Sequence, residues 1–331
     1  MGETMRSLPT YADVRDAASR LYGHAIKTPL LRSDAIDKRL GKNIWFKAEC
    51  LQKKKAFKYR GAFNRLSALS VEEKARGVVA YSSGNHAQGV SCSAKELDID
   101  AIIVMPTDAP KVKVAGVLED GATIVTYDRN TESREAIAAE IAKRDGRTIV
   151  PSYDDPYIIS GQGTIGIELA EAEPNFDAVI TCLGGGGMCA GISLALAELS
   201  PQTQIFGAEP KDYNDHQMSL RAGHRVSIQN TPHTLCEAIM TPTPGELTWP
   251  INSKSLRDVF TVTDEECLHA MKVAYEDLNV TIEPGGAAAM AAVLAGNLPK
   301  NIETVAIILS GGNVDDEILH RALKISDVTI R

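Results

Sequence analysis

The chain has 331 residues, of which 44% are apolar and 24% charged, an ordinary composition for a globular protein with two domains or one large α/β domain. Its formal net charge of −8 leaves no basic excess to neutralise a nucleic-acid backbone. The longest apolar run, residues 287–295, is too short to span a bilayer, and the N-terminus lacks an apolar stretch of the signal-peptide type. We therefore expect a cytoplasmic protein that binds neither nucleic acid nor membranes.

Apolar β-branched runs alternate with helix-period segments, which indicates βαβ units and mainly parallel sheets. Strands are predicted at residues 43–48, 78–81, 101–105, 123–125, 148–150, 178–183, 204–208 and 305–309. Helices are predicted from Thr10, at residues 59–69, 86–97, 110–119 and 133–143, from Thr164, from Ala190, at 264–278 and from Gly285, with an irregular stretch at 210–260. We predict a small mobile domain of residues 71–151, inserted into a large cofactor-binding domain of residues 1–70 and 152–331.

Four consecutive glycines, residues 184–187, join a predicted strand to a helix and are called the glycine loop below. Its flexible backbone and the free amides at a helix N-terminus can bind a phosphate group. Gly185, Gly187 and Ala190 match a dinucleotide fingerprint, with Glu209 as the ribose-binding acid of an NAD-dependent oxidoreductase. The alternative is a single phosphate, as in pyridoxal phosphate, and the loop alone does not decide between them.

Other segments favour the single phosphate. Lys58 stands at the start of a predicted helix, where partial desolvation would lower its pKa and make it a better Schiff-base nucleophile. Residues 81–87 and 309–313 are polar, glycine-bearing loops that follow predicted strands, as the glycine loop does. Ligands gather at the carboxyl ends of the strands in open α/β sheets, so these loops and the lysine form one candidate site.

Four motifs occur in one order: Phe-Lys-x-Arg-Gly-Ala at 57–62, Ser-Ser-Gly-Asn-His at 82–86, Gly-Gly-Gly-Gly-Met at 184–188 and Ser-Gly-Gly-Asn at 310–313. Together they resemble the fold-type-II pyridoxal-phosphate enzymes, in the branch of serine racemase and the serine/threonine dehydratases. The resemblance covers nearly the whole chain. It implies an α/β fold of the tryptophan-synthase β type, with two open, twisted, mainly parallel sheets and flanking helices, a pyridoxal 5'-phosphate cofactor and a homodimer.

The resemblance implies a role for each motif residue. Lys58 would carry the cofactor and act as the base at Cα, and Ser83 would be the acid/base group on the opposite face. The implied cofactor-binding residues are Phe57, Lys58, Asn85, Gly184, Gly185, Gly186, Gly187, Met188 and Ser310. The implied substrate-binding residues are Ser82, Ser83, Asn85, His86 and Arg134.

Residues 209–215 resemble the divalent-cation site of the racemases. The implied ligands are the carboxylates of Glu209 and Asp215 and the carbonyl oxygen of Tyr213. Hard oxygen ligands of this kind suit Mg²⁺, Ca²⁺ or Mn²⁺. A solvated acidic loop is the alternative interpretation of the same residues.

Two segments depart from the family pattern. Lys54 and Lys55 stand where Thr-Gly is common, so Lys55 is expected to be strained if that position needs a positive φ. Residues 234–238 replace a common Thr-Ile-Ala-Asp-Gly, keeping a carboxylate at Glu237 but placing Ala238 where the glycine stands.

The sequence therefore predicts racemisation of serine together with dehydration of L-serine, or of a related β-hydroxy amino acid, to a 2-oxo acid and ammonia. Two acid/base groups on opposite faces of Cα are what inversion needs. A threo-3-hydroxyaspartate ammonia-lyase, with Arg134 binding the second carboxylate, and a catabolic threonine dehydratase are the alternatives within the same mechanism. The NAD-dependent oxidoreductase is the alternative from another class, and it leaves Lys58 and the two polar loops unexplained.

Overall fold

The computed structural model describes residues 7–109, 111–172, 174–229 and 232–326. The strands are β1 (Leu30–Leu31), β2 (Asn43–Lys47), β3 (Val78–Tyr81), β4 (Ala101–Pro106), β5 (Thr123–Tyr127), β6 (Thr148–Ile149), β7 (Ala178–Cys182), β8 (Gln204–Pro210), β9 (Leu256–Val262) and β10 (Thr304–Ile308). The helices are α1 (Tyr11–Leu21), α2 (Asp34–Leu40), α3 (Lys58–Ser67), α4 (Val71–Arg76), α5 (Asn85–Glu96), α6 (Lys111–Glu119), α7 (Arg134–Asp145), α8 (Pro156–Ala170), α9 (Gly187–Leu199), α10 (Asp215–Ala222), α11 (Trp249–Ser255), α12 (Asp264–Leu278), α13 (Pro284–Leu294) and α14 (Asp316–Leu323).

The strands form two sheets. One has six strands in the order β1-β2-β10-β7-β8-β9, and the other has four in the order β5-β4-β3-β6. Every pairing is parallel except that of β1 with β2. The predicted α/β class with two mainly parallel sheets is confirmed. No helix among the described residues is long and apolar enough to cross a membrane.

Each sheet has its own apolar core. The larger core surrounds the six-stranded sheet and includes most of α13. The smaller core lies on the four-stranded sheet and also takes Ala62 and Leu66 from α3. The strands of the small sheet lie within residues 78–149, inside the predicted small domain. The domain division and its mobility stay predictions.

Two predicted helix starts are wrong. The helix expected from Thr164 begins at Pro156, and its N-cap Asp155 accepts hydrogen bonds from the first helical amides. The helix expected from Ala190 begins at Gly187. The stretch at 210–260, predicted to be irregular, contains α10, α11 and β9. These are short elements of seven or eight residues and mixed polarity, so their hydrophobic periodicity is weak.

Two glycines inside α8 explain why the start of this helix was predicted too late in the sequence. Gly161 and Gly163 precede the predicted start at Thr164, but they lie within the helix, where it meets two neighbours. A Cβ on Gly161 would lie 2.7 Å from the Arg60 carbonyl of α3, and one on Gly163 would lie 2.7 Å from the Gly191 carbonyl of α9. Close packing of the three helices, and not a break, therefore accounts for these glycines.

The arginine of the Phe-Lys-x-Arg motif anchors the start of α3. Arg60 is buried and donates to both carboxylate oxygens of Glu49 at 2.8 Å, and it also donates to Glu168 of α8. Burial raises the pKa of Glu49, but the Arg60 guanidinium outweighs burial and leaves that pKa below its usual value. A buried, bidentate contact of this kind fixes the position of α3 and hence of Lys58 at its first turn.

Lys54 and Lys55 both have a φ of 54°, in the left-handed region that residues with side chains rarely adopt. The turn is held by its carbonyls: the Gly312 amide donates to Lys55 at 2.8 Å, and the Asn313 side chain donates to Lys54 at 2.7 Å. The Lys54 ammonium also pairs with Asp120 at 2.7 Å. The strained turn therefore joins the segment before Lys58 to the loop that follows β10.

We expect Lys55→Gly to raise the free energy of unfolding by about 0.5–1 kcal/mol, because glycine tolerates the left-handed backbone. The Lys55 side chain is exposed, so little packing is lost. Thermal and denaturant unfolding of the purified protein would measure the change. Lys53→Gly, at a neighbour outside the left-handed region, is the control and should lower stability. A loss of stability in both variants would contradict the assignment of strain to Lys55.

Candidate active site

A cavity of about 470 Å³ lies at the carboxyl ends of β3, β7 and β10. Its walls are the loops after these strands, the start of α3 and residues 237–242, so both sheets contribute. The predicted site residues that line it are Phe57, Lys58, Ser82, Ser83, Asn85, His86, Arg134, Gly184, Gly185, Gly186, Gly187, Met188 and Ser310. Glu209, Tyr213 and Asp215 are not among the lining residues.

Lys58, the first residue of α3, brings its amine to this cavity. The Nζ donates to the Ser152 carbonyl at 2.6 Å and lies 5.2 Å from the centroid of the Phe57 ring. Burial lowers the pKa of the amine to about 8, although Cys182 and Glu283 partly oppose that shift. An appreciable fraction of this amine is uncharged near neutral pH, as a nucleophile toward a carbonyl group needs.

The glycine loop is fixed through its carbonyls. Gly185 accepts from the Thr248 hydroxyl at 2.6 Å, and Gly186 accepts from the Asn252 side chain at 3.1 Å. Gly186 has a φ of 88°, and a Cβ on Gly185 would lie 2.3 Å from the Tyr153 ring. The loop therefore has little room for side chains. The first amides of α9, which have no acceptor within the helix, lie at the cavity wall and can bind a phosphate.

A family profile described as "Pyridoxal-phosphate dependent enzyme" matches residues 21–311. The chain belongs to that family. It is 45% identical to the L-threo-3-hydroxyaspartate ammonia-lyase of Saccharomyces cerevisiae, over 93% of this chain and 94% of that protein. It is 42% identical to the serine racemase of Schizosaccharomyces pombe, over 94% of this chain and 96% of that protein. The crystal structure of Dictyostelium discoideum serine racemase matches with a TM-score of 0.88 and 37% identity, over 93% of this chain and 100% of that chain.

The predicted family and fold type are thus confirmed, and the chain is a pyridoxal-phosphate-dependent enzyme. The dinucleotide interpretation of the glycine loop is overturned by the same match. Glu209, its ribose-binding acid, is fully buried and accepts hydrogen bonds from the amides of His216 and Gln217 at 3.0 and 3.1 Å. Glu209 thus caps α10 and is not directed toward a ligand of the glycine loop.

The donors around the cavity fit the cofactor of this family. An amine for its aldehyde and helix amides for its phosphate line one space. The Cys182 thiol donates to the Ser310 hydroxyl oxygen at 3.3 Å, which leaves the proton of that hydroxyl for an acceptor such as a pyridine nitrogen. The glycine loop keeps side chains out of the phosphate end. Lys58, Ser310 and the glycine loop can therefore hold pyridoxal phosphate.

Asn85 is held between two strand-end loops. Its carbonyl oxygen accepts from the Asn313 side chain at 2.8 Å, and its Nδ2 donates to Glu283. Burial raises the pKa of Glu283 to about 7. The Asn85 amide has a second N–H, which remains for a ligand oxygen. The contacts orient this amide within the cavity wall.

His86 lines the cavity with a neutral ring. Its Nε2 lies 2.9 Å from the Val150 carbonyl, so that nitrogen carries the proton and donates. Burial lowers the pKa of His86 to about 3, which keeps the ring neutral. Its buried Nδ1 has no hydrogen-bond partner among the described residues. Beside it, the Ser82 hydroxyl accepts from the Gly84 amide at 3.2 Å, and Ser83 lines the cavity.

Two cationic side chains from the small sheet's helices also line the cavity. Arg134 begins α7, pairs with Glu135 at 2.8 Å and lies 5.6 Å from the centroid of the Tyr81 ring. Lys113 of α6 is mostly buried and lies 3.9 Å from the Glu237 carboxylate. A substrate with two carboxylates therefore meets positive charge beyond the amides of α5.

The predicted cation ligands Glu209 and Asp215 come together outside the cavity. With His216 they form a fully buried group whose ligand atoms lie within 4.8 Å of one another. Burial raises the pKa of both carboxyls. Burial lowers the pKa of His216, but contacts with Asp215 and Glu209 reverse this and raise it to about 9. Tyr213 is buried nearby in the chain, and its carbonyl stays a predicted ligand.

Sequence reasoning missed four residues of the site and its surroundings. Tyr153 packs on the glycine loop, Lys113 adds charge, Glu283 holds Asn85, and His216 joins the carboxylate cluster. The Glu-Pro pair at 283 and the histidine next to Asp215 were visible in the sequence. Tyr153 and Lys113 carry no local signal, because only the fold brings them to the site.

Proposed function

We propose that this enzyme racemises serine and eliminates water from L-serine or a related β-hydroxy amino acid. The observation that carries the proposal is one cavity lined by the Lys58 amine, the Ser83 hydroxyl and the glycine loop. The names of the similar proteins, serine racemase and L-threo-3-hydroxyaspartate ammonia-lyase, agree with it.

In this proposal each side chain of the site has a defined role. Bound pyridoxal phosphate supplies an electron-withdrawing ring that acidifies the Cα proton of an attached amino acid. Lys58 holds the cofactor and removes that proton, and Ser83 returns a proton from the other face. The amides at the start of α5, with Ser82, bind the carboxylate, because a helix N-terminus favours negative charge. Asn85 donates to the ring oxygen, Phe57 and Met188 pack near the cofactor, and Ser310 donates to the ring nitrogen.

A hydroxyaspartate ammonia-lyase is the second candidate. Arg134 at the cavity supports it, since a guanidinium can bind a second carboxylate in a bidentate manner. The relative from Saccharomyces cerevisiae carries that activity in its name. A catabolic threonine dehydratase remains a third candidate with the same mechanism.

Product analysis of the holoenzyme tests the proposal. We expect L-serine to yield both D-serine and pyruvate with ammonia. L-threo-3-hydroxyaspartate and L-threonine are compared at equal concentration. Arg134→Gln should lower kcat/KM for hydroxyaspartate by about tenfold or more, a cost typical of losing a charged hydrogen bond, and affect serine less. An enzyme that binds the cofactor but turns over only hydroxyaspartate or threonine would overturn the serine assignment.

We also propose that a divalent cation binds at Glu209 and Asp215, with the Tyr213 carbonyl as a further ligand. The paired, buried carboxylates support this, because two negative charges side by side exceed the single positive charge that a protonated His216 can supply.

Removal of the cation should therefore destabilise the fold. At a cation concentration of 100 times its Kd, binding contributes about 2.7 kcal/mol, so chelation should lower Tm by several degrees. Thermal unfolding with chelator, and after Mn²⁺ or Mg²⁺ is restored, measures this. The double variant Glu209→Gln with Asp215→Asn is the control and should not respond to either. A wild-type Tm that is indifferent to chelator and to added cation would remove the proposal.

The predicted homodimer and cytoplasmic location are kept as proposals. Light scattering on the eluting holoenzyme distinguishes a dimer from a 35.6 kDa monomer.

A further inference from the structure

His216 occupies a position that the predicted ligand set left out. It is the second residue of α10, next to Asp215. Its Nδ1 lies 3.2 Å from Glu209 Oε1 and 3.4 Å from Asp215 Oδ2, and all three side chains are fully buried. The imidazole therefore faces both carboxylates of the proposed cation site.

We propose that His216 is itself a ligand of the divalent cation, through Nδ1, and that this nitrogen makes the site select a transition-metal cation over Mg²⁺ and Ca²⁺. The inference rests on the proposed cation at Glu209 and Asp215.

The distances match those between ligands of one ion. Two ligands at about 2.1 Å from a metal, with angles near those of a tetrahedron or octahedron, lie about 3.0–3.4 Å apart. The separations of Nδ1 from the two carboxylate oxygens fall in that range. Apart from this ion-pair contact with His216, the two buried oxygens of Asp215 accept no hydrogen bond from the described residues. They are thus free to bind a cation.

The second ring nitrogen of His216, Nε2, supplies a second observation. His216 Nε2 and Asn252 Oδ1 are both buried without a hydrogen-bond partner among the described residues. Both side chains pack on Gly186, where a Cβ would lie 2.8 Å from His216 Nε2 and 2.4 Å from Asn252 Nδ2. A histidine that binds metal through Nδ1 carries its proton on Nε2, and such histidines usually donate it to a neighbouring acceptor. The Asn252 side chain, which holds the Gly186 carbonyl, is a nearby acceptor, but it makes no hydrogen bond with Nε2.

Ligand chemistry then decides the choice of cation. Mg²⁺ and Ca²⁺ take oxygen ligands, whereas imidazole suits Fe, Ni, Cu and Zn, with affinity rising from Mn²⁺ through Co²⁺. One nitrogen beside two carboxylates therefore shifts the site toward the transition metals. Oxygen ligands alone would have favoured Mg²⁺, Ca²⁺ or Mn²⁺.

Calorimetric titration of the metal-stripped holoenzyme with Co²⁺, Mn²⁺ and Mg²⁺ tests the selectivity. We expect wild type to bind Co²⁺ at least about tenfold more tightly than Mg²⁺. His216→Asn places an amide near the Nδ1 position and should weaken Co²⁺ binding about 10–100-fold, with a much smaller change for Mg²⁺. His224→Asn, an exposed histidine after the same helix, is the control and should match wild type.

Pulsed electron paramagnetic resonance of the Mn²⁺-loaded wild type provides a readout that needs no variant. A ¹⁴N coupling from a directly bound imidazole is expected. If Mn²⁺ binds without that coupling, or Mg²⁺ binds as tightly as Co²⁺, the role of His216 is overturned while the proposed cation stands. If none of the three cations binds, the proposed cation fails as well, and the His216 imidazolium is the counter-charge of the two carboxylates.

Discussion

Replacing Lys58 with alanine should remove the visible absorbance of the purified enzyme and all measurable turnover. The Lys58 amine lines the cavity beside the glycine loop, and burial lowers its pKa to about 8. Alanine supplies neither the amine that holds the cofactor nor the base at Cα. Loss of a general base alone costs about 10²–10⁴-fold in rate, and loss of the attachment adds to that. Absorbance spectra and turnover of L-serine with added pyridoxal phosphate measure both effects.

Two variants separate chemistry from folding. Lys53→Ala, in the same segment but not lining the cavity, should keep the absorbance band and the activity. Lys58→Arg keeps a positive charge and a long side chain, but it should be as inactive as Lys58→Ala. If Lys58→Ala stays coloured and active with serine, the amine that binds the cofactor is another one, and the assignment fails.

Ser83→Ala should abolish racemisation while it spares part of the elimination. Inversion at Cα needs a proton donor on the face opposite Lys58, whereas elimination of the β-hydroxyl as water does not need a proton delivered to Cα from that face. We expect D-serine formation to fall about 10²–10⁴-fold and pyruvate formation to fall much less. Both products are quantified from one reaction with L-serine.

Ser83→Thr keeps the hydroxyl and is the matched variant for this experiment. Racemisation that survives in Ser83→Thr but not in Ser83→Ala assigns the effect to the hydroxyl. Equal loss of both products in Ser83→Ala would contradict the two-base mechanism and would make Ser83 a binding residue only.

Much of the fold could be predicted from local pattern. The helix α12 matches its predicted bounds, 264–278, because a threonine cap, acidic first turn and regular apolar spacing all agree. The strand β3 matches as well. The start of α8 could not be predicted, because Gly161 and Gly163 serve contacts with other helices, and those contacts have no signature in the local sequence.

The residues of the candidate site also fall into two groups: those that stand in a local motif and those that only the fold brings to the cavity. Lys58, Asn85, the glycine loop and Ser310 were predicted because each stands in a motif at the end of a strand or the start of a helix. The structure brings all of them to one cavity. No motif surrounds Tyr153 or Lys113 in the sequence. Their place at the cavity depends on packing between elements that are distant along the chain. Lys54 and Lys55 were recognised as a departure from the family pattern, and both adopt a positive φ in the structure.

The contact between α8 and α9 bears on how this enzyme can change during evolution. A Cβ on Gly191 would lie 2.2 Å from the Ile159 carbonyl and 2.5 Å from the Gly163 nitrogen, so the helices meet main chain to main chain. No rotamer change can relieve such a contact, whereas a side-chain core tolerates many apolar exchanges. Since α9 begins at the glycine loop, this main-chain contact helps to set where its amides lie, together with the Thr248 and Asn252 side chains that hold the loop. One added methyl group at Gly191 would therefore displace the phosphate site, whereas apolar exchanges elsewhere in the core are more easily accommodated.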